Sequence, residues 1–185
     1  MCKKIVILVL VMGLLLTIIP IIISATPTVI SYGTITHDGS NLPSRLYNDG
    51  TLVIEPGFIN WTQTRGIRND PFSPWSNLSN DIHRIVFTGP VTAGRSLQGL
   101  FSNLWRVTEI ENIHYLDTSR TESMRQMFHF MNHLTELDLS SWNTSNVRDM
   151  SFMFWSMREL KTLNLSGWDT VMCEIWNGCF VFLGD

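Results

Sequence analysis

The sequence predicts an α/β fold: a short leucine-rich-repeat solenoid with one short helix and one parallel β-strand per repeat, behind an N-terminal, mainly-β cap. Three observations predict it. A 26-residue unit recurs in the second half of the chain. Each unit joins an apolar stripe of helical spacing to an alternating leucine stretch. The region before the units is rich in Pro, Gly, Asn and Trp and has no such period.

The period is clearest in two adjoining copies, residues 124–149 and 150–170. At an offset of 26 residues, identical Met, Phe, Leu, Trp and Thr residues coincide. In the first copy these are Met124, Met127, Phe128, Met131, Leu134, Leu137, Leu139, Trp142 and Thr144. A looser copy covers residues 96–123, and residues 82–95 resemble only the strand half. Residues 82–170 therefore divide into a half repeat and three repeats.

Each unit has two halves with different periods. The first half places apolar residues at i, i+3, i+4 and i+7, which is typical of one face of a helix. Ser96, Ser123 and Asp149 precede the stripes and are predicted N-caps. The second half places two leucines on one face of a strand, and a Trp and a Thr-Ser-Asn segment return the chain. Stacked units would share one core, with the strands in a parallel ladder.

The N-terminus has the pattern of a signal peptide, assigned to residues 1–25. Lys3 and Lys4 precede an apolar run over residues 5–23, and Ser24-Ala25 offers a small-residue cleavage site. The run is long enough that an uncleaved membrane anchor is the alternative. Either way we expect the remainder to be exported and secreted or surface-located, with membrane contact only through this segment if it is uncleaved.

Residues 26–81 are predicted to form the β-rich cap. Asn48-Asp49-Gly50 before Thr51–Ile54 is a hairpin signal. The loop-like stretch that follows holds Trp61 and Trp75. We favour the interpretation that these rings are cap aromatics, and the alternative is a carbohydrate-binding platform.

Composition excludes several classes of protein. Without Lys3 and Lys4, the remaining basic residues are outnumbered by 16 acidic ones, and no Lys/Arg cluster occurs, so no nucleic-acid partner is expected. No cysteine lies between Cys2 and Cys173, which excludes a disulfide scaffold or a cysteine zinc site in the body of the chain.

No sequence motif indicates an enzyme. A phosphate loop, a nucleophile elbow and an HExxH pattern are all missing from the sequence. His129 and His133 have a spacing that can hold zinc, but no third ligand is evident, and surface histidines are favoured. We therefore predict no catalytic residues, no cofactor and no metal.

The repeat resembles the BspA-type leucine-rich-repeat surface proteins of Gram-positive bacteria. It shares their Met-x-x-Met-Phe and Leu-x-Leu-Ser-x-Trp phrases, over about residues 48–170. Segments that look like the block before their repeats are Thr51–Ile54, Ser73-Pro74-Trp75, residues 85–91 and residues 116–119. The resemblance implies an exported, wall- or surface-associated protein used in adhesion. Such proteins usually carry more repeats and a wall anchor, which this sequence lacks.

The tail, residues 171–185, departs from the repeat after Thr170. Read one nucleotide earlier, its codons permit Ser-Asn-Val-Arg-Asp-Met, the phrase found at residues 145–150. We hypothesise a single-base deletion that puts the tail out of frame and truncates a longer protein. The alternative is a genuine C-terminal cap, with the stripe Trp176, Cys179, Phe180 and Leu183.

The sequence favours a binding module over two other functions. Its partner would be a protein or glycan of a host, a matrix or a neighbouring cell surface. The outward strand positions Glu136, Asp138, Thr162 and Asn164 form the candidate binding face, and the alternative is ordinary solvated sheet surface. The other functions are a non-functional or purely structural remnant and, less favoured, a secreted hydrolase.

Overall fold

The computed structural model describes residues 26–65, 70–175 and 177–179, and the predicted signal peptide lies outside them. In this part of the chain the regular elements are twelve β-strands and three 3-10 helices. The strands are β1 (Val29–Ile35), β2 (Leu42–Tyr47), β3 (Thr51–Ile54), β4 (Gly57–Trp61), β5 (Thr64–Arg65), β6 (Asp70–Pro71), β7 (Arg84–Phe87), β8 (Val91–Leu97), β9 (Glu109–Glu111), β10 (Leu116–Asp117), β11 (Glu136–Asp138) and β12 (Thr162–Asn164). The 3-10 helices are His37–Gly39, Ser76–Leu78 and Ile113–Tyr115. Among these residues no helix has the length and apolar character needed to cross a membrane.

The prediction of a helix in each repeat is wrong, and so is the prediction of an α/β solenoid built from such helices. The described residues contain no α-helix. The apolar stripe instead lies on overlapping turns, closed for example by the Met127 amide donating to the Met124 carbonyl at 3.2 Å and the Met131 amide donating to Phe128 at 3.2 Å. Gln126 (φ 55°) and Phe130 (φ 60°) are left-handed, which interrupts helical propagation. The described part of the chain is therefore a mostly β structure of stacked coils.

Neighbouring coils are joined along these turns by main-chain hydrogen bonds. Alternate amides donate to the next coil, as Phe128 does to the Met153 carbonyl at 3.0 Å and Phe130 does to Trp155 at 2.9 Å. The left-handed positions recur with the repeat at Gly99, Gln126, Phe152 and Gly178, and at Asn103, Phe130 and Ser156. An amide that bonds to the next coil cannot also close a helical turn, so the ladder replaces the helix.

The predicted N-caps begin these turns rather than helices. The Asp149 carboxylate accepts from the Ser151 amide at 2.9 Å, and the Ser123 hydroxyl accepts from the Arg125 amide at 3.4 Å. Ser96 acts in the same way on Gln98. Each side chain thus binds the amide two residues later, a turn geometry that short polar residues favour.

Two sheets form the other sides of the coils. The first has the order β1-β2-β3-β7-β9, in which the predicted hairpin joins β2 to β3 and the strands from β3 onward are parallel. The second has the order β10-β8-β4 and is parallel throughout. The predicted parallel ladder of repeat strands is interrupted, because β11 pairs with β12 but not with β9.

Beyond β10, buried threonines continue the side of the coils that the second sheet forms. The Thr118 hydroxyl donates to the Asn143 carbonyl at 2.9 Å, and the Thr144 hydroxyl donates to Asp169 at 2.7 Å. Trp168 Nε1 donates to the Leu139 carbonyl at 2.9 Å. These contacts join each return segment to an adjacent coil, and both threonines are buried.

The tail continues the coil lattice as far as it is described. The amides of Met150 and Phe152 donate to the carbonyls of Ile175 and Asn177, both at 3.0 Å, and Cys179 is buried. Trp176, Phe180 and Leu183 of the predicted stripe lie outside the described residues. The acceptors in these bonds are main-chain carbonyls. The frameshift hypothesis stays a prediction about the coding DNA.

Candidate functional site

The structure brings the four predicted face residues together. In the parallel β11–β12 pair, Glu136 lies opposite Thr162 and Asp138 lies opposite Asn164. Glu136, Asp138 and Thr162 are exposed, and Asn164 is partly buried. The alternation read from the sequence therefore places these side chains on one outer surface.

Two of the four side chains have a structural role at the strand ends. Asp138 accepts from the Ser140 amide at 2.9 Å, and Asn164 accepts from the Ser166 amide at 3.1 Å. Hydrogen bonding from the Ser140 side chain, and then from its amide, holds the pKa of Asp138 below its ordinary value. These contacts explain the residue types at Asp138 and Asn164 without a partner.

A concave surface lies on the outer side of the second sheet, and we call it the arginine groove. Its cavity volume is about 540 Å³. Strands β4 and β8 and the two return segments that follow them in the stack supply its lining. The lining residues are Phe58, Asn60, Gly94, Arg95, Ser119, Arg120, Glu122, Asn146 and Arg148.

The repeat lattice fixes the backbone of the groove. Arg95, Glu122 and Arg148 occupy equivalent positions in successive coils, and each of their carbonyls accepts two amides from the next coil. For Glu122 the donors are the amides of Arg148, at 2.8 Å, and Asp149, at 3.3 Å. The charged side chains are thus displayed from a backbone whose hydrogen bonds are already made.

Gly94 and Asn60 shape the part of the groove nearest the cap. A Cβ on Gly94 would lie 2.6 Å from the Asn60 Cβ, so a glycine is needed for this approach. Asn60 Oδ1 accepts from the Ser96 amide at 3.0 Å, which fixes the amide group. Its Nδ2 has no partner among the described residues and remains able to donate.

The charge of the groove is opposite to that of the whole chain. Arg95 Nε lies 3.7 Å from Glu122 Oε1, an exposed and therefore weak ion pair. Within the described part of the chain, Arg120 and Arg148 have no carboxylate within ion-pair distance. Three guanidinium groups thus face one carboxylate, on a chain whose formal charge is −3. The groove is a local cationic surface.

The two cap tryptophans do not form a carbohydrate platform. Both are buried. Trp61 Nε1 donates to the Phe72 carbonyl at 2.6 Å, and Trp75 Nε1 donates to Ser44 Oγ at 3.1 Å. Trp75 also stacks on Phe101 with ring centroids 6.0 Å apart. Their apolar faces are part of the core, as the cap interpretation expects.

His129 and His133 have different surroundings. His133 Nδ1 lies 2.6 Å from the Trp105 carbonyl and its Nε2 lies 3.8 Å from Glu159 Oε1. Burial lowers the pKa of His129 to about 4, against a smaller opposing effect of Asp70. Across the described ranges, no cluster of three or more His, Cys, Asp or Glu side chains could hold a metal ion.

The groove was not predicted from the sequence. Asn60 and Phe58 come from the cap, whereas the arginines come from the repeats, so only the β4–β8 pairing brings them together. One signal was available: the equivalent positions Arg95, Glu122 and Arg148 form an outward column of charge beside a second column that holds Arg120. When equivalent outward positions of successive repeats are compared, these two columns indicate the arginine side of the groove.

Comparison with known proteins identifies one similar family. Residues 95–181 match a family described as Mycoplasma protein of unknown function, DUF285. The matched segment contains the repeats from Arg95 onward and extends past Thr170 into the tail. Neither the curated proteins nor the solved structures include a match to the chain. The family description names no activity, and the resemblance to BspA-type surface proteins stays a prediction.

Proposed function

We propose that this protein is an exported, surface-associated binding module without catalytic activity, and that the arginine groove is its contact site. The single observation that carries the proposal is the groove itself. Its volume of about 540 Å³ lies in the range of roughly 300–1,000 Å³ common for ligand sites. Its lining combines side chains of the cap with those of three successive coils.

The chemistry of the groove favours binding over catalysis. Its lining contains one carboxylate, that of Glu122, and no histidine or cysteine. General acid–base work needs a positioned proton donor and acceptor, and nucleophilic catalysis needs an activated nucleophile. Ser119 has no base in the lining. Arginines and amides supply recognition without a reaction.

Export is supported by the leader pattern in residues 1–25. The full chain and a variant lacking these residues can be produced in a bacterial host, and the protein measured in cytoplasm, membrane and medium. We expect only the full chain outside the cytoplasm. Equal distribution of the two would remove this part of the proposal.

Binding can be tested by presenting the purified protein to arrays of glycans and of peptides. The matched variants are Arg120→Gln with Arg148→Gln in the groove, and Arg158→Gln at an exposed arginine outside it. We expect the groove variant to lose signal and the control to keep it. Signals that survive in the groove variant would place the contact elsewhere.

A second candidate, a truncated remnant of a longer repeat protein, is favoured by one observation. The tail codons permit a missing repeat phrase when read one nucleotide earlier. The DNA downstream of the Thr170 codon tests it. Further 26-residue repeats in the shifted frame would support a remnant, and an early stop codon in that frame would exclude it.

A further inference from the structure

We infer that the arginine groove takes an anionic carbohydrate, a sugar that carries a carboxylate or a sulfate group. The inference rests on the proposed function, because it names the partner of the same groove. Arg120 and Arg148 carry it, since both are exposed, line one cavity and lack a carboxylate partner among the described residues. A guanidinium group presents paired donors that match the two oxygens of a carboxylate or a sulfate.

The remaining polar groups suit a sugar. Asn60 Nδ2 is available to donate, and Asn146 Nδ2 donates to the Ser119 carbonyl at 2.7 Å, which leaves Asn146 Oδ1 as an acceptor. Sugar hydroxyls both donate and accept, so a lining with both functions can bind them. Phe58 is partly buried and gives the groove one apolar surface, against which the C–H face of a sugar ring can pack.

A peptide partner fits the groove less well. Extended peptides commonly bind by adding a strand to an open sheet edge, through main-chain hydrogen bonds. Here the carbonyls of Arg95, Glu122 and Arg148 each already accept two amides from the stack. These three carbonyls are therefore not free to accept the amides of an added strand, and a ligand meets side chains at these positions.

A nucleic acid fits less well for reasons of charge. Phosphate-backbone binding draws on many cations along the strand. The groove has two arginines without a carboxylate partner, and its lining also contains the carboxylate of Glu122. It also has a single aromatic ring, Phe58, where single-stranded nucleic acids use successive stacking platforms. One or two localised anionic groups match this arrangement better.

Isothermal titration calorimetry on the purified protein tests the inference. The probes are a hexuronic acid oligosaccharide, a sulfated oligosaccharide, a neutral oligosaccharide of the same length, oligo-glutamate and single-stranded DNA. We expect binding of at least one anionic sugar, with at least tenfold weaker binding of the neutral one and of oligo-glutamate. The two anionic sugars distinguish carboxylate from sulfate. Added salt should weaken the interaction.

The variants connect binding to the groove. Arg120→Gln with Arg148→Gln should weaken the anionic sugar at least tenfold, and Arg158→Gln should leave it unchanged. Thermal melting checks that each variant is folded. If the double variant is unfolded, Arg120→Lys with Arg148→Lys replaces it, and we expect partial loss because the charge stays but the paired donors are gone.

The outcomes separate the inference from the proposed function. Groove-dependent binding of the neutral sugar, of oligo-glutamate or of DNA in preference to the anionic sugars would overturn the inference and leave the groove as a binding site. Binding of an anionic sugar that survives in the groove variant would overturn both. Absence of binding to any sugar also overturns the inference, and the proposed function then depends on the wider glycan and peptide arrays.

Discussion

The rings of Phe128 and Phe154 stack with centroids 5.8 Å apart and planes inclined by only 4°. The two residues are one 26-residue repeat apart, so the stacking shows that equivalent side chains lie directly above one another in successive coils. Phe101 extends the column at 5.7 Å from Phe128. All three side chains are fully buried. This column connects the core of each coil to the core of the next.

Replacing the central ring should destabilise the whole stack. Phe128→Ala removes contacts with Phe101, Phe154 and Trp142, whose centroid lies 6.0 Å away. A buried Phe→Ala change typically lowers the free energy of unfolding by about 3–5 kcal/mol, through lost burial and the cavity that remains. Denaturant unfolding followed by circular dichroism measures it.

The control is Tyr32→Ala, because that aromatic side chain is 84% exposed. We expect a change within about 0.5 kcal/mol. If both variants unfold at the same denaturant concentration, the column is not the centre of stability.

The core could be predicted from the sequence, but the backbone that carries it could not. Met124, Met127, Phe128 and Met131 are all fully buried, as the stripe predicts. Spacing at i, i+3, i+4 and i+7 reports only which side chains share a face. A run of turns with left-handed residues at Gln126 and Phe130 places the same side chains inward. Since neither residue type favours that conformation, no local signal in this repeat distinguishes the turns from a helix.

The candidate site likewise has one part that could be predicted from the sequence and one part that could not. Glu136 and Asp138 could be placed on an outer face because strand alternation is a local property. The arginine groove needs Asn60 to lie beside Gly94, a contact between the cap and the repeats that depends on sheet pairing. The sequence contains both residues but no periodicity that relates them.

Gly99→Ala should destabilise the first full coil. Gly99 has a φ of 65°, and an added Cβ would lie 2.6 Å from the Pro71 Cβ and 2.9 Å from the Phe72 amide nitrogen. The left-handed conformation alone costs an L-residue about 1–2 kcal/mol. Thermal and denaturant unfolding should therefore show a loss of at least that size.

Gly33→Ala is the matched control. Gly33 lies in β1, and an added Cβ there meets no atom within 4 Å. A glycine inside a strand is mildly unfavourable, so alanine should be neutral or slightly stabilising. A Gly99 variant as stable as the Gly33 variant would argue against the left-handed turn at Gly99.

His129 should make stability depend on pH. Burial lowers the pKa of His129 to about 4 in the folded state, below its ordinary value of 6.5. The unfolded chain therefore binds more protons between these values, and stability falls as the pH decreases from about 6.5 to 4. The expected loss between pH 7 and pH 4 is about 3 kcal/mol. His129→Gln removes this contribution.

The measurement is the difference in unfolding free energy between pH 7 and pH 4, compared across variants. Carboxylates such as Asp38, whose pKa is lowered chiefly by a hydrogen bond from Thr62, also lose stabilisation in acid. Comparing wild type with His129→Gln cancels that shared effect. His114→Gln, at an exposed position, should follow wild type. Identical pH dependence in the His129 variant would contradict the assignment.

Deleting residues 171–185 should open the last coil. The carbonyls of Ile175, Asn177 and Cys179 accept the amides of Met150, Phe152 and Phe154, each at 3.0 Å. Three hydrogen bonds contribute about 3 kcal/mol at a typical net value near 1 kcal/mol each. We expect the deletion to lower the unfolding free energy by at least this amount. Hydrogen exchange at the three donor amides should become faster, because they lose protein acceptors.

Val171→Ser is the control for the deletion. This side chain is 88% exposed, and its amide still donates to Asp169 Oδ1. It should leave both stability and exchange unchanged. Unchanged exchange at Met150 and Phe152 in the deleted protein would show that the tail is not part of the stack. Accelerated exchange would show that the tail acts as a further coil through its main chain, whichever reading frame produced its side chains.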